Sequence, residues 1–513
     1  MAKVEFGTGG IRAEMGDAPG MMNRDIVAMA TQGLANYIVK HAPADKFKAC
    51  ISFDSRNNSR DFADVTMKVL RSNGIKVFLF DDIRPTPELS YAVRSTGSFA
   101  GVMITASHNP KEYNGYKVFG PDGAQVTSPV DTDIVEEVNG IAGMQDVKMD
   151  LAADGGLVMM GADMDEKYIS DILSLTLSPE ARTRHADMKI VYTPLHGCGV
   201  RLVPECLSRI GFKNVFHVPA QDVSDGNFPT VVSPNPEEAS ALRLALERAE
   251  EVNADLVLAT DPDADRMGIA VRDDSGRMVL LNGNQTGSIL TYYILSRMKE
   301  LGRLDSSSYV VKTIVTTELI KDIATSFGVK VYDVLTGFKY IAQIVRENEG
   351  KARFICGGEE SYGFNVGEFV RDKDAQIACS MVAECAAWAA DQGLSLYSLL
   401  QRIYAEYGYR KEGLVSIVEK GDDGAARIRE TIAGFRQDPP ARICGSKVVR
   451  MVDYLDTEAT GMPSSNVLQF FTERGDVMSV RPSGTEPKIK FYFGARGDDA
   501  DARVEQLKQA FRK

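Results

Sequence analysis

Short apolar runs of strand length recur along this chain, alternating with segments of helical period, and several of them drain into loops of charged, hydroxyl and glycine residues. The first round has helical spacing over 25–40, a strand at 49–53, a helix over 61–73, a strand at 76–80 and a helix from Thr86 through Arg94. The texture restarts with strand 189–192, helix 203–210, strand 214–217, helix 237–253 and strand 254–259. A third round follows, with strand 309–315, helix 318–327, strand 330–334, helix 339–348 and strand 353–356. Alternation of this kind implies largely parallel sheets with helices outside. Residues 140–163, rich in Gly, Ala, Met and Asp, read as an irregular connection before a helix over 166–177. From about Tyr409 the pattern changes to strands at 414–418, 447–454, 467–471, 477–481 and 488–493, with helices over 425–435 and 501–511. A chain of 513 residues is too long for one core. The expectation is therefore an α/β protein: three similar αβ domains with mixed, largely parallel sheets, over 1–186, 187–304 and 305–408, plus a smaller C-terminal α+β domain over 409–513.

Charge and cysteine usage narrow the function class. A net charge of -12 leaves no basic surplus to neutralise nucleic-acid phosphates, and an anionic small substrate would need a locally cationic site. Seven scattered cysteines with no Cys-x-x-Cys pair read as reduced thiols of a cytoplasmic protein. The N-terminus carries no apolar signal core, and no uninterrupted apolar run is long enough to span a bilayer, so neither a membrane nor nucleic acid is expected as a partner.

Four loops carry candidate chemistry. Thr105-Ala106-Ser107-His108-Asn109-Pro110 follows the apolar run Val102-Met103-Ile104, which puts Ser107 where open α/β sheets hold their ligands. A hydroxyl near His108 and Lys117 has an oxygen nucleophile plus groups that move protons and hold negative charge, although Ser-His-Asn-Pro is also an ordinary turn composition. Asp261, Asp263 and Asp265 alternate on one loop ending in Arg266, and three such carboxylates suit a hard cation such as Mg²⁺. An EF-hand is excluded because Arg266 and Arg272 stand where that loop needs Gly and Glu. Arg481-Pro482-Ser483-Gly484-Thr485-Glu486-Pro487, with Lys488 and Lys490 behind it, combines an arginine fork, hydroxyls and exposable backbone N–H groups into a phosphate cradle. Glu359, Glu360 and Ser361 suit hydrogen bonding to sugar hydroxyls or acid–base work, and Thr336-Gly337-Phe338-Lys339 could close the same pocket, with Phe338 as an apolar wall and Lys339 as a cation. At the start of the chain, Phe6-Gly7-Thr8-Gly9-Gly10-Ile11-Arg12 lacks both the Walker A and the dinucleotide spacing, yet Arg12 offers a fork for phosphate. The remaining histidines, His41, His185, His196 and His217, have no ligand-type spacing and read as structural.

Taken in order, the loops Ser107-His108-Asn109-Pro110, Asp261-x-Asp263-x-Asp265-Arg266, Gly358-Glu359-x-Ser361 and Arg481-Pro482-Ser483-Gly484-Thr485-Glu486-Pro487 resemble those of the α-D-phosphohexomutase family, over Gly7 to about Arg496. The resemblance implies four domains around a central cleft. It makes Ser107 the carrier of a phosphoryl group and a contributor, with Asp261, Asp263 and Asp265, to an Mg²⁺ site. It places Arg12, His108, Lys117 and Arg266 around the transferred group, Glu359 and Ser361 at the sugar hydroxyls, and Arg481, Ser483, Gly484, Thr485 and Lys490 at a distal phosphate. Phe338 stands where dual-specificity members carry His, and Gly-Glu-Glu-Ser follows the branch acting chiefly on glucose phosphates. The implied activity is interconversion of α-D-glucose 1-phosphate and glucose 6-phosphate through glucose 1,6-bisphosphate. Mannose or pentose phosphates are the alternatives, and a metal-dependent sugar phosphatase a remoter one. The general base on one side of the reaction is open between Lys339 and Lys117, and the choice between monomer and homodimer is open as well.

Overall fold

In the computed structural model the described residues are 10–18, 20–419, 423–483 and 488–511. They build four sheets. The first contains β1 (Gly10–Glu14), β2 (Lys48–Phe53), β3 (Lys76–Phe80), β4 (Ala100–Ile104), β5 (Tyr113–Phe119) and β6 (Leu157–Met160), ordered β1-β5-β4-β2-β3-β6. Its β4-β2-β3-β6 part is parallel, while β5 and β1 return antiparallel at one edge. The second sheet, from β7 (Lys189–Thr193), β8 (Asn214–His217), β9 (Leu256–Thr260), β10 (Met267–Arg272) and β11 (Met278–Leu281), is parallel at β9-β7-β8 and antiparallel at β11-β10-β9. In the third, β12 (Ser308–Thr313), β13 (Lys330–Val334) and β14 (Arg353–Gly358) are parallel, and β15 (Phe364–Val366) is an antiparallel edge. The last sheet, from β16 (Arg410–Val418), β17 (Arg442–Ile443), β18 (Ser446–Asp453), β19 (Leu468–Thr472), β20 (Val477–Pro482) and β21 (Lys488–Arg496), is antiparallel throughout. The expected class, three mixed αβ units and a smaller α+β unit, is the observed one.

Three local expectations give way. The supposed irregular connection over 140–163 contains strand β6, which pairs with β3 through Val77–Leu157 and Phe80–Met160. Its Leu-Val-Met-Met core is short, and the surrounding Gly and Asp residues hide its period. The helix expected over 237–253 is Arg243–Val252 only. Before it the chain runs in turns: Asn235 Oδ1 accepts from the Glu237 N–H at 3.1 Å, and Ala241 N–H donates to Glu238 O at 3.0 Å. Finally, helix Gly283–Glu300, opened by an Asn282/Gln285 capping box, lies within the range assigned to the second domain but packs on helices Glu318–Ser326 and Leu396–Tyr407 and on β14 of the third.

One helix ties these units together. Ala375–Asp391 is rich in Ala, Cys and Met, and every residue from Ala375 to Ala389 is buried. A helix apolar on all sides must be enclosed on all sides. Here it packs on helices Pro179–Arg184, Gly199–Arg209 and Gly283–Glu300 and on strands β9, β10 and β15, within a core that runs from Met103 and Phe119 through Ile190 and Leu256 to Tyr293 and Trp388. The final unit has its own core around Phe470, Phe491 and Phe493, and meets the third through Ile314, Leu335, Tyr454 and Val467.

Strand β5 admits no side chain at Gly115. A Cβ there would lie 2.3 Å from Thr105 O, just past the end of β4, and 2.9 Å from Ile11 O on β1. Gly115→Ala should therefore destabilise the first domain by about 1–3 kcal/mol through overpacking; the check is a lowered thermal midpoint in calorimetry.

Candidate active site

The loop after β4 holds Ser107 in the left-handed region, with φ +53°, a conformation costly for any residue with a Cβ. Its surroundings enforce it. Ser107 N–H donates to Thr105 Oγ1 at 2.8 Å, and Ser107 O accepts from Arg56 Nη2 at 2.5 Å. The Arg56 guanidinium also donates to Asn109 O at 2.5 Å, Pro110 O at 2.9 Å and Tyr113 O at 3.0 Å, so one planar fork gathers four carbonyls of the nucleophile loop. Arg56 is buried, its Nε is 3.2 Å from Asp54 Oδ2, and its guanidinium stacks 5.0 Å from the Phe228 ring centroid of the second unit. Asp54 Oδ2 in turn accepts from Thr105 Oγ1 at 2.6 Å. The sequence reading missed Arg56. Its signal is Asp54-Ser55-Arg56 directly after β2, the same strand-into-polar-loop pattern that marks the other sites.

Ser107 Oγ donates to Asp261 Oδ2 at 2.8 Å and lies 3.2 Å from His108 Nδ1. Asp261 begins the loop after β9, and its Oδ1 accepts from the N–H groups of Asp265 and Arg266. Ligand atoms of Asp261, Asp263 and Asp265 all lie within 4.8 Å of one another, and all three residues are buried. Cations from three units surround them. Lys117, on β5, donates to Asp263 Oδ2 at 2.8 Å; Lys373, ahead of the buried helix, reaches Asp265 Oδ2 at 3.1 Å; and Arg266 Nε is 3.9 Å from Asp265 Oδ1. Lys373 is a second residue the sequence reading missed, visible only as a dense charge run, Arg371-Asp372-Lys373-Asp374, before an apolar helix.

Burial, then the charges of Asp263 and Asp265, raises the Asp261 carboxyl well above the usual range. Asp265 is raised by burial and by Asp263. At Asp263 burial acts upward most strongly, but the Lys117 ammonium, together with hydrogen bonds from Lys117, Asp261 and Thr86, holds the group below the ordinary carboxylate range. Two buried oxygens, Asp263 Oδ1 and Asp265 Oδ1, have no hydrogen-bond partner. Hard carboxylate oxygens gathered at one point, with two left unsatisfied, fit a small divalent cation such as Mg²⁺. Asp261, Asp263 and Asp265 would hold it, with the oxygen on Ser107 alongside.

The other expected residues group around this point. Arg12, on β1, donates to Asn109 Oδ1 at 3.3 Å; it keeps solvent access while the surrounding chain desolvates it, and that desolvation, followed by the charge of Arg266, lowers its pKa. Burial, then Arg266 and Arg12, pushes the His108 imidazole down to about 2, so the ring is neutral. Arg266 Nη1 donates to Ser361 O and to Glu237 Oε1, both at 3.2 Å, which locks the metal loop to the Glu359–Ser361 loop. Glu359 Oε1 accepts from Gly337 N–H at 2.9 Å, and burial raises its carboxyl. Arg481, Ser483 and Lys490 are half-buried on the fourth unit. Burial, then Arg481, lowers the Lys490 ammonium, while Glu360 and Glu237 from the third and second units oppose it. Gly484 and Thr485 lie outside the described residues.

Phe338 and Lys339 depart from expectation. Phe338 is 4% exposed and packs in the core of the third unit with Tyr309, Val334 and Ile341, so it is no pocket wall. Its contribution is a ring face 5.6 Å beneath the Lys373 ammonium. It opens helix Phe338–Asn348, and the first-turn geometry that seats the ring inward turns Lys339 toward Tyr340 and the side of Asp131. Burial lowers the Lys339 ammonium, and Asp131 partly offsets this. His196 is buried between Val223 O and Thr230 Oγ1, each 2.8 Å away, a structural histidine as expected.

Comparison with known proteins agrees with this arrangement. The chain matches the phosphoglucomutase/phosphomannomutase family models for alpha/beta/alpha domain I over residues 3–143, domain II over 166–276, domain III over 282–407 and the C-terminal domain over 441–513. A phosphoglucomutase of Staphylococcus haemolyticus is 36% identical over 522 aligned residues, covering 99% of this chain and 92% of that protein. Among solved structures, a phosphoglucomutase/phosphomannomutase family protein of Burkholderia thailandensis superposes with TM-score 0.75 at 17% identity, covering 100% of this chain and 97% of the other. Parafusin of Paramecium, a phosphoglucomutase in its open form, gives 0.75 at 16% identity, covering 100% and 95%. At those identities the two structures bear on the fold alone.

Metal uptake is directly measurable. Mg²⁺ or Mn²⁺ at a hundredfold excess over its Kd should stabilise the folded protein by about 2.7 kcal/mol, read as a raised melting midpoint. Asp265→Asn should remove that shift.

Proposed function

The chain belongs to the phosphoglucomutase/phosphomannomutase family, and on that premise we propose that it is a phosphoglucomutase, an isomerase that interconverts α-D-glucose 1-phosphate and glucose 6-phosphate. The observation that carries the reading is the 2.8 Å contact between Ser107 Oγ and Asp261, which sets a nucleophilic hydroxyl against a buried three-carboxylate loop.

In the proposed cycle Ser107 carries a phosphoryl group. A free hydroxyl of the bound hexose phosphate attacks phosphorus, the bond to Ser107 Oγ breaks, the hydroxyl's proton passes in net to the Ser107 oxygen, and glucose 1,6-bisphosphate forms. After the sugar reverses, the other phosphoryl returns to Ser107. Phosphoryl transfer asks a protein chiefly for positioning and charge stabilisation. Bound Mg²⁺ supplies part of that stabilisation as a Lewis acid at the phosphoryl oxygens. Arg12 and Arg266 add fixed positive charge beside Ser107 Oγ. Neutral His108, with Nδ1 3.2 Å from Ser107 Oγ, offers a hydrogen-bonding partner that brings no further charge. Lys117 keeps its ammonium on Asp263, so its first task is to orient that carboxylate. Glu359 and Ser361 bind sugar hydroxyls, and Arg481, Ser483, Lys490 and the Gly484–Thr485 turn hold the phosphate that is not reacting. The Gly358-Glu359-Glu360-Ser361 loop is in keeping with glucose phosphates as preferred substrates over mannose and pentose phosphates. Scattered free cysteines, six of them buried, suit a reducing compartment, and we assign the protein to the cytoplasm. Among the described residues no helix is long and apolar enough to cross a membrane.

Ser107→Ala should reduce turnover of glucose 1-phosphate to background while the melting midpoint is retained. A side-by-side assay with glucose, mannose, glucosamine and ribose 1-phosphates, with Mg²⁺ and catalytic bisphosphate, should rank glucose first by kcat/KM. Wild-type-like turnover by the Ala variant, or steady release of inorganic phosphate in place of isomerisation, refutes the proposal.

A further inference from the structure

The metal loop is gripped from outside its own domain at one point that the reaction scheme leaves without a role. Thr86 opens helix Thr86–Thr96 of the first unit, follows Pro85 at the cap, and is fully buried. Its Oγ1 donates to Asp263 Oδ2 at 2.8 Å, and its backbone N–H donates to Asp263 O at 3.0 Å. The same Oδ2 receives Lys117 Nζ at 2.8 Å. Both donors fall on Oδ2, and Oδ1 of the same carboxylate is left buried with no partner. The anchor is itself rigid: Arg84 N–H donates to Phe53 O, Ser52 Oγ donates to Arg84 O, and the Arg84 guanidinium is clamped to Asp165 by Nε at 2.7 Å and Nη2 at 3.1 Å.

We propose that Thr86 is a positioning residue for the divalent cation: by occupying Oδ2 together with Lys117, it fixes the rotation of the Asp263 carboxylate so that Oδ1 alone faces the point shared with Asp261 and Asp265. A carboxylate with both oxygens free samples several orientations, and ordering it on binding costs entropy. One with Oδ2 held from two sides is ordered beforehand. The backbone bond adds a second constraint, holding the turn in which Ala264 adopts φ +48°. The inference rests on the reading of the three aspartates as a cation site.

The test uses the full-length protein stripped of metal, titrated with MnCl₂ by calorimetry, with the melting midpoint taken in chelator. Thr86→Val keeps the shape and deletes the donor; its Kd for Mn²⁺ should rise about 10–100-fold, as loss of outer-shell partners does elsewhere. Thr86→Ser restores the donor and should return the Kd to within about threefold of wild type. If Thr86→Val does not fold, Thr86→Ala is compared with Thr86→Ser in the same way. Wild-type affinity in the Val or Ala variant overturns the proposal. Equal weakening in Ser and Val does so as well, since packing rather than the hydroxyl would then be responsible. Failure of the wild-type protein to bind Mn²⁺ overturns the cation-site reading and this inference with it.

Discussion

Three carboxylates buried at one point cannot stand alone in a protein interior, and their compensation organises this molecule. Asp261, Asp263 and Asp265 are at most 1% exposed. An uncompensated buried charge costs several kcal/mol even after relaxation. Among the described residues the second unit supplies Arg266 as a nearby counter-charge, while the ion pairs of Lys117 and Lys373 come from the first and third units. Arg12 and Arg56 of the first unit add further positive charge toward the same loop, so the compensation is complete only when three units are assembled. The fully buried helix Ala375–Asp391 performs that assembly, and Lys373 stands directly before its N-cap, Asp374. Hydrophobic enclosure and charge compensation are therefore one constraint expressed at the two ends of one segment.

The same logic explains the loop that bears Ser107. A left-handed serine is strained, and strain persists only where neighbours overdetermine it. Arg56 supplies the overdetermination by holding four carbonyls at once, and Phe228 covers its guanidinium from the second unit. A lysine there has no planar fork and could not span the set. Ser107 is thus fixed through the backbone of its own loop, just as, on the proposal above, Asp263 is fixed by Thr86.

The sequence disclosed the fold class and the chemistry-bearing loops because both rest on local signals: strand-length apolar runs, helical periods, and clusters such as Asp-x-Asp-x-Asp-Arg. It concealed what depends on tertiary context. Arg56, Thr86 and Lys373 act through partners 51 to 177 positions away, where no spacing rule reaches. Phe338 was misplaced for a related reason. An aromatic next to a lysine reads as a pocket wall, but a residue at the start of an amphipathic helix turns inward when the apolar positions at Ile341, Ala342 and Val345 do. Strand β6 escaped notice because its alternation spans four residues inside a Gly- and Asp-rich stretch.

The charge balance also bears on how such a site accepts phosphate. With Lys117, Lys373 and Arg266 committed to the aspartates, a divalent cation and a phosphoseryl dianion enter as a second balanced pair, because a phosphoserine carries about −1.5 to −2 charge at neutral pH. Arg12, at Asn109 of the Ser107 loop, is then the surplus cation on that side, with its own pKa lowered by desolvation and by Arg266. On the far side Arg481 and Lys490 form another surplus, and among the described residues the carboxylates facing it come from Glu360 and Glu237, on different units. On the proposed reading, a substrate phosphate there would replace those long-range carboxylate partners with a closer dianion and strengthen attraction between the fourth unit and the cleft. On the same reading, positive charge at Arg12 and at Arg481 and Lys490, in an otherwise acidic protein, would favour a sugar phosphate anchored at both ends.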